Sequence, residues 1–242
     1  MKAKQGYWIL ILLIGGAAVG AGIFMTYYFS DDPESLHNRA ENNRLKVINP
    51  HDVNDALVDS DMQDVREGHT IADFSFVNQL GDTITETSLE DQIYVTNFFF
   101  TTCGGICPDM SEQLMRVQGE FSGDDRFKIL SHTVNPSYDT VEVMYDYAER
   151  FKADHKQWWF LTGSKEDLYL AARKSYLVVP SPDDPNFEHG SESDFIHTEN
   201  FVLIDPDKRI RGMYDGTSEE EVSEMIRDIY DLKREYKMGT KL

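Results

Sequence analysis

QIYVTNFFFTTCGGICPDMSEQLMRVQGEF, residues 92–121, decides the fold. Its first nine residues are a near-continuous β-branched and aromatic run, the composition of a strand buried on both faces. From Pro108 onward the apolar residues fall at helical spacing: Met110, Leu114, Val117 and Phe121. Pro108 suits the first turn of that helix, where a missing N–H costs nothing. Between strand and helix stand Cys103 and Cys107, the only two cysteines in 242 residues.

Working outward, the same alternation continues. FKILSHTV (127–134) reads as a strand, TVEVMYDYAERF (140–151) as an amphipathic helix and QWWFLTG (157–163) as a short extended segment. SKEDLYLAARKSY (164–176) reads as a helix with Ser164 and Asp167 in cap positions. NFVLIDPDKRIRGMYDG (200–216) gives two strands joined by a turn at Asp205–Lys208, and SEEEVSEMIRDIYDLKREY (218–236) gives a last helix. Acids open that helix and bases close it, as the macrodipole prefers. Upstream, IADFSFVNQLGDTIT (71–85) alternates apolar and polar around a turn at Leu80–Asp82, the pattern of a hairpin. Strands alternating with helices and ending in a hairpin predict one α/β domain over residues 69–242. A strand, then cysteines, then a helix opening with them is the layout of a thioredoxin-like mixed sheet flanked by helices.

The ends are of a different kind. No charged residue falls between Lys4 and Asp31, and YWILILLIGGAAVGAGIFMTYYF runs from Tyr7 to Phe29. As a helix it reaches about 35 Å, slightly more than a bilayer core. Tyr7, Trp8, Tyr27 and Tyr28 sit where interfacial aromatic belts belong. Residues 1–30 are therefore read as an N-terminal transmembrane anchor, a cleaved signal peptide being the competing reading. Lys2 and Lys4 precede it and Asp31, Asp32 and Glu34 follow, so the positive-inside rule exports the rest. Residues 31–68 are polar without sustained periodicity and read as a stalk. All 43 acids lie beyond residue 30, and the formal net charge is −20. Such a surface repels nucleic acid and anionic lipid heads.

Export bears on the cysteines. Outside the cytoplasm a thiol pair tends to oxidise, and one kept reduced needs a dedicated reductant. At i, i+4 spacing a helical turn brings both sulfurs to one face, while Gly104 and Gly105 allow a tight bend. The open N–H groups of a helix start favour thiolate, so both thiols are expected to ionise below the ordinary cysteine value. The pair then suits disulfide exchange, with Cys103 and Cys107 as attacking and resolving thiols, or a soft cation such as Cu(I) or Cu(II). A merely structural bridge over so short a loop constrains little chain entropy. A peroxidase site would need an arginine, and none follows the motif before Arg116. Two thiolates leave most metals under-coordinated, so a histidine is sought among residues 37, 51, 69, 132, 155, 189 and 197. His37, His51, His69 and His155 read as solvated and His132 as a core histidine. His189 and His197 lie in the long loop PSPDDPNFEHGSESDFIHTEN (180–200), and both stay open as the missing ligand.

FFFTTCGGICPDM, SHTVNPSYDT, FLTGSKEDLYLAA and FIHTENFVLIDPDKRIRGMYDG resemble, in order, blocks of the Sco/SenC copper chaperones, over roughly residues 69–235. The resemblance implies a thioredoxin-like domain on a membrane anchor, with copper held by Cys103, Cys107 and His197. It implies delivery of copper to, or reduction of the cysteines of, the binuclear copper site in cytochrome c oxidase subunit II or a related copper acceptor, with a thioredoxin-like reductant as a further partner. The corresponding placement is a single-pass protein of a bacterial-type inner membrane with its domain on the periplasmic side. Two departures stand out. Asn135 occupies a position where the family often has an acid, and Gly-Gly-Ile separates the cysteines where bulkier or proline-containing loops are common.

Overall fold

The computed structural model describes residues 45–53, 58, 62–178 and 199–238. Seven strands form one mixed sheet in the order β2-β1-β5-β4-β3-β6-β7. They are β1 Ser75–Asn78, β2 Thr83–Thr85, β3 Ile93–Phe99, β4 Phe127–Thr133, β5 Trp158–Thr162, β6 Asn200–Ile204 and β7 Ile210–Asp215. The central strands β3, β4 and β5 run parallel, and the pairs β1/β2, β1/β5, β3/β6 and β6/β7 are antiparallel. All seven residues of β3 are buried, as its unbroken apolar run predicted. Its two polar members are satisfied within the sheet. Thr96 Oγ1 donates to the Leu130 carbonyl at 2.9 Å, and Asn97 Oδ1 accepts from Ser131 Oγ at 2.7 Å.

Alternation along β3 feeds two cores. Ile93, Val95 and Phe99 face one, with α1 (Ile106–Glu120), α2 (Val141–Arg150) and α4 (Glu219–Glu235) packed above. Tyr94 and Phe98 face the other, against Ala172, Tyr176 and Leu177. Met110, Leu114 and Val117 of α1 are fully buried, which is the stripe read from their spacing. The predicted helix at 164–176 is α3 (Lys165–Leu170) followed by a π turn over Ala171–Ser175. Thr140, Ser164 and Ser218 cap α2, α3 and α4 through their hydroxyls. No side chain caps α1, whose N-cap is Gly105.

The polar stretch before the hairpin is not stalk throughout. From Leu45 it lies on the domain: Ile48 bridges to Ile210, and Arg211 Nη2 donates to the Leu45 carbonyl at 2.6 Å. Few residues make these contacts, so composition concealed them. Residues 1–44, with the apolar run at 7–29 read as an anchor, lie outside the described residues. Among the described residues no helix is long and apolar enough to cross a membrane.

Candidate thiol and metal site

The site lies where β3 ends. A tight turn closes there, with Cys103 N–H donating to the Phe100 carbonyl at 3.2 Å, and α1 begins at Ile106. Cys103 is half-buried in the turn, whereas Cys107, in the first turn of α1, is 4% exposed. Both thiols are free and lie within hydrogen-bonding reach of one another. Packing on Met110 and Leu114 fixes Cys107, so the more exposed sulfur belongs to the turn.

Ionisation of Cys107 corrects the expectation drawn from the helix start. Burial pushes its thiol up to about 12, and neighbouring Cys103 and Asp139 add to the rise. A backbone hydrogen bond at Phe100 acts the other way and is outweighed. The lesson is one of magnitude: desolvation of a sulfur buried in a core exceeds the pull of open helix N–H groups. Gly104 and Gly105 stand between the two cysteines, at the start of α1. Neither adopts a left-handed φ, and a Cβ at either would meet nothing within 4 Å. Gly105 stands at φ −109°, ψ −114°, outside the ordinary helical and extended regions.

One residue of the site escaped sequence reasoning. Asp139 is fully buried in the loop between β4 and α2. Its carboxylate accepts from Thr101 N–H at 3.3 Å, from Thr101 Oγ1 and from Thr133 Oγ1. It lies in the block SHTVNPSYDT without a local signal of its role, and only the strand register brings Thr101 and Thr133 around it. Asn135, the departure noted above, serves the same loop with its backbone. Its N–H donates to Thr133 Oγ1 at 2.9 Å, and its carbonyl accepts from Asp139 N–H at 2.9 Å.

The histidines sort by geometry. His132 is buried among Phe76, Phe98 and Tyr176, on the sheet face opposite Cys107, and burial pushes it down to about 3. Its Nδ1 meets Thr96 Oγ1 at 2.9 Å while Nε2 has no partner. His69 is buried rather than solvated, because Nε2 meets the Ser175 carbonyl at 2.8 Å. His155 is likewise engaged, bonding Glu149 and Gln79 and stacking on Tyr145. His51 is exposed. His37, His189 and His197 lie outside the described residues. Among the described residues no three His, Cys, Asp or Glu side chains converge to hold a metal. Arg116 is bound to the Glu219 carbonyl and Ser223, away from the thiols.

The chain has relatives among known proteins. The sequence model of SCO1/SenC proteins matches residues 62–233. The chain belongs to the SCO1/SenC family. The SCO1 protein homolog of Bacillus subtilis (strain 168) is 27% identical over 164 residues, spanning 66% of this chain and 81% of that protein. Two solved structures share the fold. BsSco, a member of the Sco family of cytochrome c oxidase assembly proteins with an identified disulfide switch, aligns with a TM-score of 0.57. Its identity is 24%, and the match covers 68% of this chain and 93% of BsSco. Arabidopsis thaliana ScoI with copper bound aligns with a TM-score of 0.52 at 24% identity, covering 68% of this chain and 98% of that one. The thioredoxin-like mixed sheet predicted from the strand–cysteine–helix order is thus the Sco fold.

Proposed function

We propose that this Sco chain is a copper chaperone, anchored in a membrane by residues 7–29 with its domain on the extracytoplasmic side. The recipient is the binuclear copper site of cytochrome c oxidase subunit II. The observation that carries the reading is the free thiol pair, one sulfur half-exposed and one buried, within reach of each other at an uncapped helix start. Copper is the cargo. Thiolate sulfur suits Cu(I), and thiolate with imidazole suits Cu(II), so Cys103 and Cys107 fit the metal and His197 is the proposed third ligand. The copper bound in Arabidopsis thaliana ScoI, and the membership of BsSco in a family of cytochrome c oxidase assembly proteins, support it.

The chain's own residues set the course of exchange. Copper binding displaces the Cys107 proton, which burial holds tightly, so protons compete with the metal. The half-exposed Cys103 is the ligand an incoming acceptor thiolate reaches first, while Cys107 stays on its helix. Titration of the purified full chain, reduced, with Cu(II) tests this. Wild type should give a thiolate charge-transfer band at about one copper per chain. His197→Ala should shift or weaken it, and Cys103→Ser with Cys107→Ser should abolish it. Unchanged binding in the double variant ends the reading.

The unequal exposure of the thiols favours a second reading, disulfide exchange with a partner. The Cys103 thiolate would attack the partner's disulfide and release one partner thiol. Cys107 would then resolve the mixed disulfide, leaving the partner reduced by two electrons and this pair oxidised. Function that survives His197→Ala but not Cys103→Ser would select it.

A further inference from the structure

We propose that Asp139 is the positioning residue of the thiol site: it clamps the cysteine turn to the end of β4 and thereby sets where Cys103 stands relative to Cys107. The proposal rests on reading the thiol pair as the functional site. The two sulfurs have separate supports. Cys107 rides on α1, whose buried Met110, Leu114 and Val117 anchor it in the core. Cys103 meets that core only from its edge, in the turn; it is half-buried, flanked by exposed Thr102 and Gly104. The turn is closed by Cys103 N–H on the Phe100 carbonyl, and it is tied to the neighbouring loop by Thr101, two residues before Cys103 and bound to Asp139 through both backbone N–H and hydroxyl.

Asp139 is held in turn from the β4 side, by Thr133 Oγ1 and by its own N–H to the Asn135 carbonyl at 2.9 Å. Val134 N–H donates to the Phe99 carbonyl at 2.9 Å, closing the two strand ends against each other just beneath the clamp. The carboxylate is fully buried, and no cation pairs with it among the described residues. Burying a charge with only hydroxyl and amide donors is costly. A packing role alone would be served by a neutral residue. A charged acceptor makes its hydrogen bonds shorter and stronger than a neutral one, which suits a device that must fix a turn. Preorganisation of this kind raises the effective concentration of one sulfur at the other.

Two variants of the full chain separate the clamp from general stability. Thr101→Val removes the hydroxyl tether. Thr140→Ala removes the adjacent cap of α2, whose Oγ1 accepts from Val143 N–H at 3.4 Å, and leaves the clamp in place. The readout is equilibrium with glutathione, in which the dithiol is oxidised to the disulfide as one oxidised glutathione is reduced to two thiols. Thr101→Val should lower that equilibrium constant about tenfold, equivalent to about 30 mV. Thr101→Ser should restore it, and Thr140→Ala should leave it within twofold of wild type. Asp139→Asn should move it in the same direction as Thr101→Val. On Cu(II) loading, the charge-transfer band should broaden in the clamp variants only. A Thr101→Val protein at the wild-type equilibrium, or a Thr140→Ala protein shifted as far, overturns the clamp. A wild-type chain that binds no copper would defeat the copper reading instead, and the glutathione equilibrium would still decide this one.

Discussion

Among the described residues two aspartates lie fully buried, and they are held in opposite ways. Asp205, at the turn between β6 and β7, sits among cations. Arg209 and Arg211 reach its Oδ2 at 2.8 Å, and Tyr236 donates to the same oxygen at 2.9 Å. Its Oδ1 accepts from the backbone N–H groups of Asp207 and Arg209. Burial by itself would raise the Asp205 carboxyl, but the Arg209 N–H, both guanidinium groups and the Tyr236 hydroxyl together hold it below the ordinary value. Asp139, beside the thiols, has only Thr101, Thr133 and backbone around it. A carboxylate that staples structure is paired with cations; one that shapes a site is held by hydroxyls and amides. The network at Asp205 also ties the hairpin to α4, through Arg211 to Glu235 at 2.8 Å.

The largest effect should come from breaking the neutralised site. Asp205→Asn leaves Arg211, almost wholly buried, with less than its charge complement. Removing one member of a buried pair costs about 3–5 kcal/mol, and urea unfolding at pH 7 should show a loss of that order. The sign with pH follows from the direction of the shift. A carboxyl held below its ordinary value stabilises the fold above the unfolded value, and the stabilisation is lost as pH falls through the folded one. The acid limb of the stability curve should therefore be shallower in Asp205→Asn than in wild type.

His132 sharpens the comparison, since it is buried by being kept neutral rather than paired. Burial depresses its ionisation to about 3. A base so depressed stabilises the fold above about pH 6.5, its ordinary value, and loses that stabilisation as pH falls toward 3. Between pH 6 and 4 its contribution should fall by roughly 1.4 kcal/mol per pH unit. His132→Gln should remove this slope even if it lowers stability at neutral pH. An unchanged slope in that variant would place the acid sensitivity elsewhere.

How far the sequence carried depends on what each feature rests upon. Strand β3, the cysteines and the helix after them were legible because burial on both faces and a 3.6-residue period leave marks in consecutive residues. The cap at Ser164, the turn at Asp205–Lys208 and the stripe on α1 were legible for the same local reason. Asp139 was not, because its partners are Thr101, in the turn after β3, and Thr133, at the end of β4, which come together only through the register of Phe99 on Thr133. The same holds for His69, which is buried by Ser175, a residue far along the chain. The ionisation of Cys107 was misjudged because a helix start is visible in sequence, while the depth of burial around one sulfur is not.

A smaller effect concerns that sulfur. In a Cys103→Ser chain the remaining thiol should alkylate with iodoacetamide at a rate that climbs about tenfold per pH unit from pH 7 to 10. No plateau should appear, since burial, the largest cause of the rise at Cys107, remains when Cys103 is replaced. The stabilisation tied to its protonated form is complete below the ordinary thiol value and is lost as pH rises toward 12. A plateau below pH 9 would mean that the open N–H groups of α1 outweigh burial after all.

The smallest effect should be the one that most directly contrasts the two carboxylates. Asp139→Asn keeps the shape of the side chain and one carbonyl oxygen to accept from Thr101. It removes a buried charge that no cation offsets among the described residues. The lost charge-assisted hydrogen bonds and the relieved desolvation oppose one another, each of about 1–3 kcal/mol. Stability in urea should therefore change by no more than about 1 kcal/mol, in either direction, against several for Asp205→Asn. A loss at Asp139 as large as that at Asp205 would break the comparison. It would make both aspartates staples, and the burden of positioning Cys103 would pass to the turn between Phe100 and Cys103 alone.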